Sequence, residues 1–154
     1  MPVELKKITD ENFNDCIGLK VSETQKGYVA TNVYSLAQAW LNYETAYPFA
    51  ICADGAVVGF VMMGFYEEKN AYTFWRFMVD ERFQGNGYGK AALRLSMQYL
   101  KDKFNAKEAY LSFVPGNTKA ETLYESIGFQ KTGVIDGGEL EMRIDLEKFD
   151  AGSL

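Results

Sequence analysis

From Gln84 to Lys90 the chain reads Gln-Gly-Asn-Gly-Tyr-Gly-Lys, with glycine at every second position and an amphipathic run directly behind it. The first N–H groups of a helix have no intrahelical partner, and the aligned peptide dipoles leave a partial positive charge at that end. Gly85, Gly87 and Gly89 carry no Cβ, so phosphate oxygens can approach those N–H groups closely. Each charge placed there gains roughly 0.3–1 kcal/mol, so a diphosphate needs several donors at once. Lys90 opposes the dipole in the first helical turn but suits a phosphate. This stretch has the make-up of an anion site.

Two familiar phosphate loops can be compared with it. A nucleoside triphosphate loop needs glycine where this chain has Gln84 and a hydroxyl residue where it has Ala91. The dinucleotide fingerprint survives only in a looser form, Gly87-Tyr88-Gly89-Lys90-Ala91-Ala92. Its glycines do not follow the preceding strand directly, and Val114 and Pro115 stand where an acidic residue should close the next strand.

The chain contains no histidine, which excludes Ser-His and Cys-His nucleophile pairs and leaves acid-base work to Tyr, Glu, Asp, Lys or water. Cys16 and Cys52 are isolated and read as small buried hydrophobes, with no zinc ligand set, no other metal site and no disulfide framework. A net charge of −5 argues against nucleic acid and would draw in a cationic substrate. At 154 residues, 47% hydrophobic, the chain reads as a single domain over 1–154. No apolar run is long enough for a membrane and the N-terminus lacks a secretory apolar core, so a cytoplasmic protein is expected. Only Asp150 to Leu154 suggests disorder.

Around the glycine loop the elements read in order. Val3 to Ile8 is a strand, and Thr9 or Asp10 caps a helix to about Leu19. Lys20 to Val33 has no clean period and reads as loop or broken helix. Ser35 with Gln38 three residues on forms a capping box, opening a helix through Leu36, Ala39, Trp40 and Tyr43. Pro48 to Ala53, the Asp54-Gly55 turn and Val57 to Phe65 make a hairpin, and a turn near Glu67 to Asn70 adds Ala71 to Val79 to the meander. The helix behind the loop presents Ala92, Leu93, Leu95, Ser96, Tyr99 and Leu100 and ends near Phe104. Glu108 to Val114 is a strand parallel to its predecessor, because a helix separates them. A helix from Lys119 to Ile127, capped by Asn117 or Thr118 with Gly128 at its end, precedes a last hairpin, Phe129 to Ile135 and Glu139 to Leu146. The fold class is α/β: a mixed, mostly antiparallel sheet covered by helices.

Two ordered blocks carry a family resemblance. Gln84-Gly85-Asn86-Gly87-Tyr88-Gly89, following a strand that ends Phe77-Met78-Val79-Asp80, resembles the acyl-donor signature of the GNAT N-acetyltransferases. Asn117-x-x-Ala120-x-x-Leu123-Tyr124-Glu125-x-x-Gly128-Phe129 resembles the second block of that superfamily. The match runs over about residues 48 to 146 by this reading. More narrowly, Lys20-Val21, Asn32 to Ala39 and Arg76 to Asp80 are similar to the bacterial spermine/spermidine acetyltransferases. The resemblance implies a parallel strand pair that splays apart, with helices on both faces of the sheet. It also implies acetyl-coenzyme A as donor, its pyrophosphate on the N–H groups of Gln84, Gly85, Asn86, Gly87, Tyr88 and Gly89 with Lys90 and Asn117 beside it. The pantetheine arm would lie along the backbone of Phe77, Met78 and Val79, and a homodimer is plausible.

Acetyl transfer from a thioester to an amine needs a neutral amine, a stabilised oxyanion and a proton for the departing thiolate. Tyr124 matches the family's catalytic tyrosine and is the expected general acid, although a tyrosine on a helix's apolar face can also simply be packed. A backbone N–H near Met78 or Val79 is the expected oxyanion donor. Candidate bases are Glu23, Glu67, Glu68, Asp80 and Glu81, any of which can equally be a solvated turn residue. For a polyamine, carboxylates should line one groove, with Tyr34, Trp40 or Trp75 facing the cationic chain. Glu23, Tyr34, Trp75, Asp80 and Glu81 are therefore the expected acceptor contacts. Open alternatives are another amine (an aminoglycoside, an amino acid or a protein N-terminus), a non-catalytic acyl-CoA sensor, and a nucleotide-binding protein.

Overall fold

The computed structural model describes residues 2–149. Seven strands, β1 (Val3–Lys7), β2 (Ala46–Ala53), β3 (Ala56–Tyr66), β4 (Ala71–Val79), β5 (Glu108–Phe113), β6 (Gln130–Asp136) and β7 (Glu139–Asp145), form one sheet in the order β1-β2-β3-β4-β5-β7-β6. Every neighbouring pair is antiparallel except β4 and β5. The expected mixed sheet is thus present, and the four helices cover both of its faces: α1 (Phe13–Ile17), α2 (Asn32–Leu41), α3 (Tyr88–Phe104) and α4 (Thr118–Ile127). Between β2 and β3, Asp54 (φ 52) and Gly55 (φ 79) both take the left-handed backbone that a two-residue hairpin turn demands.

Alternate residues of the central strands feed two cores. Phe49, Ile51, Val61 and Met63 meet Leu93, Met97 and Leu100 of α3, whereas Phe60 and Met62 point the other way, to Cys16, Leu19 and Ala39. Because both faces are covered, β3 reads as an unbroken apolar run rather than an alternating one. Each large side chain so buried contributes about 1.5–3 kcal/mol. Cys16, fully buried, has its thiol pushed up to about 11 by burial, with Cys52 adding to the shift, in keeping with a packing role.

Three local expectations are corrected. Helix α2 starts at Asn32, not Ser35: Thr31 is extended (φ −66, ψ 155) and its hydroxyl accepts from Tyr34 N at 3.1 Å. Ser35 lies within the helix, fully buried, and donates back to the Thr31 carbonyl at 3.0 Å, a bond that satisfies a serine inside a helix. The first helix is only Phe13–Ile17. In α3, Leu95 is 37% exposed and Met97 takes its place in the core, because the buried rows follow Leu93–Met97 and Ala92–Ser96–Leu100.

The parallel pair is very short. Only Tyr72↔Ala109, Thr73↔Tyr110 and Phe74↔Leu111 are in register, after which β4 continues to Val79 with β3 on one side and no strand on the other. The departure coincides with a bulge. Met63 faces Phe74 and Met62 faces Arg76, leaving Trp75 as an extra residue that bends β4. Gly64 makes room for it: a Cβ there would lie 2.4 Å from the Trp75 ring. This is the splay expected of the parallel strands.

The far end of β4 is anchored by Asp80, 2% exposed. Its carboxylate accepts from Lys20 N at 2.9 Å, Arg82 N at 2.9 Å and Arg82 Nε at 2.8 Å, while Glu81 N donates to the Lys20 carbonyl at 2.8 Å. Burial alone would raise this carboxyl, but Arg82 and the two backbone N–H groups outweigh it and hold it below its usual range. A depressed acid contributes stability above its unfolded pKa, about 3.9, and that contribution is lost as pH falls through the folded value. Asp80→Asn should therefore cost roughly 1.5–3 kcal/mol near neutrality and less in acid. Urea unfolding at pH 7 and pH 3 checks this, and an equal loss at both would dismiss the anchor.

Candidate active site

A cavity of about 480 Å³ fills the splay, walled by Phe77 and Val79 on one side and by Phe113 and Val114 on the other, with the glycine loop at its end. Among the described residues, no backbone N–H from Gly85 to Lys90 finds a protein acceptor. Gly87 caps α3 with φ 79 and Gly85 has φ 84, and a Cβ on either would meet nothing within 4 Å. The donors thus face open space at the positive end of a 17-residue helix, with Lys90 and Lys119 also on the cavity wall. Gly89 is the tight position, since a Cβ there would come 3.3 Å from Phe77. A diphosphate with an amide-bearing tail fits this arrangement: backbone donors at one end, an unpaired strand edge along the side.

Side chains of the loop hold it in place. Gln84 Nε2 donates to the Val79 carbonyl at 2.9 Å while its Oε1 accepts from Lys119 Nζ, so this one residue ties β4 to the first turn of α4. Asn86 donates to the Phe83 carbonyl at 3.0 Å, and Tyr88 is buried in the core. Asn117 caps α4, its Oδ1 accepting from Ala120 N, and it too lines the cavity. Tyr124 projects from α4 into the cavity wall, edge-on to Phe129 at 6.0 Å between centroids. Burial pushes its phenol up to about 12, and among the described residues its hydroxyl makes no hydrogen bond. It is an uncommitted proton donor.

A second groove, about 560 Å³, opens on the α2 face and shares Phe74, Trp75, Arg76, Leu111, Ser112 and Glu139 with the first. It carries Glu67, Glu68, Asp136, Glu139 and Glu141 against the two cations Lys69 and Arg76. Of the residues expected at an acceptor site, Glu67, Glu68 and Trp75 are brought here, whereas Glu23, Tyr34, Asp80 and Glu81 border neither cavity. Glu23 pairs with Lys26 at 2.8 Å in solvent, Tyr34 lies exposed with Arg76 at 6.0 Å from its ring, Trp40 is 76% exposed, and Asp80 is the anchor described above. Asp136, Glu139, Glu141, Ser112 and Arg76 were not expected. Their signal was the polar side of an alternating strand, Glu139 and Glu141, which register sets beside β5.

The sequence pattern of the Acetyltransferase (GNAT) family matches residues 13–129. The chain is 35% identical over 144 residues to the spermine/spermidine N(1)-acetyltransferase of Bacillus subtilis, covering 88% of this chain and 93% of that protein. It is 32% identical over 112 residues to an N-alpha-acetyltransferase of Sulfurisphaera tokodaii, covering 66% of each. A spermidine N-acetyltransferase from Vibrio cholerae, crystallised with coenzyme A and spermine, superposes with a TM-score of 0.75 at 18% identity, covering 95% of this chain and 96% of that one. With a family pattern spanning most of the chain and the glycine loop at the mouth of a splayed strand pair, the protein belongs to the GNAT family and is an acetyl-coenzyme A-dependent N-acetyltransferase.

Proposed function

We propose that the enzyme transfers the acetyl group directly to a primary amine of a polyamine, spermine or spermidine, with both substrates bound at once. The observation that carries this reading is the acid-lined groove opening through the splay onto the cofactor cavity. Five carboxylates against two cations leave it strongly negative, which suits a tri- or tetracation better than a zwitterionic amino acid. The likeness to the Bacillus subtilis spermine/spermidine enzyme supports the same choice. In this reading the N–H groups of Gln84 to Gly89, with Lys90 and Asn117, hold the pyrophosphate, and the backbone of Phe77, Met78 and Val79 receives the pantetheine amides.

An amine with pKa near 10.4 is only about one part in a thousand neutral at pH 7.4, so its proton must be removed on the way to reaction. The groove carboxylates, directly or through water, can accept it. The nitrogen then bonds to the acetyl carbon, the carbon–sulfur bond breaks, the thiolate takes a proton from Tyr124, and the second proton shed by the nitrogen returns through water to the phenolate. With its pKa raised by burial the phenol stays protonated throughout the working range, and the same apolar surroundings raise the thiol's pKa from about 8.5.

Four outcomes are expected. Thiol release should be fast with spermidine and spermine and slow with an aminoglycoside, an amino acid or a peptide amine; binding of coenzyme A with no release toward any amine would make the protein a sensor instead. Tyr124→Phe should lower kcat by about 10²-fold or more with little change in acetyl-coenzyme A affinity, and unchanged turnover would remove the general acid. In the wild type kcat/KM should rise with pH as the amine deprotonates, and no alkaline fall with a pKa near 10 should appear, because Tyr124 titrates only at about 12. Gly87→Asp, which puts a carboxylate among the N–H donors at φ 79, should weaken acetyl-coenzyme A binding about tenfold or more; calorimetry showing no change would dismiss the loop as the pyrophosphate site.

A further inference from the structure

The acidic groove already holds a cation of the protein's own. Lys69, in the turn between β3 and β4, reaches across to β7 and donates to Glu141 Oε2 at 2.5 Å, with Asp136 3.8 Å away. Glu141 accepts a second bond from the Thr132 hydroxyl at 2.8 Å. Its position in the sheet is specific: Glu141 stands opposite Ser112, one residue beyond Leu111, which is the last residue of β5 to pair with β4. The carboxylate therefore lines the groove next to Ser112, a residue that borders the cofactor cavity as well.

Of the five groove carboxylates only Glu141 is buried, its side chain 7% exposed, while Glu67, Glu68, Asp136 and Glu139 are exposed rim residues. An ammonium paired with an exposed carboxylate gains little in water, whereas the same contact at a desolvated carboxylate is much stronger. The strongest ammonium position in the groove is thus the one Lys69 occupies. Lys69 is itself a primary ammonium on a flexible four-carbon stem, chemically the same group that a polyamine would present.

Building on the polyamine reading, we propose that Lys69 is a tethered stand-in for one ammonium of the acceptor. It holds Glu141 while the groove is empty and is displaced when a polyamine's own ammonium arrives, with Asp136 on the rim placed to receive it. A monoamine with its single nitrogen at the thioester has no second ammonium to trade for Lys69. The Lys69–Glu141 pair then acts as a specificity filter, whose strength is the difference between two nearly equal ion pairs.

The test is thiol release with butylamine, putrescine, spermidine and spermine on five proteins: wild type, Lys69→Met, Lys69→Arg, Glu141→Gln and the double variant Lys69→Met/Glu141→Gln. Lys69→Met should lower KM for spermidine and spermine about three- to tenfold relative to butylamine, Lys69→Arg should keep the wild-type ratios, and Glu141→Gln should raise the polyamine KM. In the double variant Lys69→Met/Glu141→Gln the gain should vanish. In the wild type, which avoids any loss of folding, the Lys69 side-chain NMR signal should shift on adding spermine and not on adding butylamine. Unchanged KM ratios in a folded Lys69→Met, a gain that persists in the double variant, or a Lys69 signal indifferent to spermine would each overturn the filter while leaving polyamine acetylation intact. A wild type that acetylates no polyamine would overturn both.

Discussion

The structure depends on a ladder that stops. β4 and β5 share three registered pairs and then part, although both strands continue. Unpaired backbone groups in a protein interior are costly, so a gap of this kind should close unless something holds it open. Here each strand is secured on its outer side: Arg76 to Val79 by β3, and Ser112 and Phe113 by Glu141 and Leu140 of β7. Closing the gap would break two intact ladders to make one. The extra residue at Trp75 turns β4 away at the point of separation, and the Gly64–Trp75 contact fixes that bend.

The same separation divides the electrostatics. On one side lie the unpartnered N–H groups of the glycine loop, the N-terminus of α3, Lys90 and Lys119. On the other are the carboxylates of the β3–β4 turn and of the β6–β7 hairpin, Glu139 bordering both cavities. An anionic donor and a cationic acceptor are each drawn to their own side, and the wall they share combines the apolar Phe74, Trp75 and Leu111 with Arg76, Ser112 and Glu139. A single wide cleft of mixed charge would let the two substrates pair with the wrong wall. Two openings that meet across a parting strand pair reduce this mispairing.

What the sequence revealed, and what it hid, follows from the range of the interactions. Hairpins, the glycine loop and the parallel crossover were legible because Asp54-Gly55, Gly128 and the apolar runs act over a few residues. The start of α2 is concealed because Ser35 with Gln38 imitates a cap, while the cap at Thr31 rests on an extended backbone that only the preceding loop sets. The groove was hidden for a stronger reason. Glu67, Glu68, Asp136, Glu139 and Glu141 lie in two distant segments that meet only because β7 inserts between β5 and β6. Asp80 and Glu81 drew notice by sitting beside the loop, yet proximity in sequence placed Asp80 in a buried anchor and Glu81 outside both cavities.

The glycine loop shows how one short segment meets two demands that pull against each other. Presenting several N–H groups to a ligand means leaving them without protein partners, which loosens a loop. The side chains supply the missing restraint from the opposite direction: Gln84 spans from the Val79 carbonyl to Lys119, Asn86 reaches Phe83, and Tyr88 is sunk in the core. Main chain turns outward and side chains turn inward, so the frame can be rigid while the donors stay open. That division explains the alternation itself. Glycine stands at the positions where the backbone takes positive φ or passes close to Phe77, and larger residues stand between them because each has something in the protein to hold.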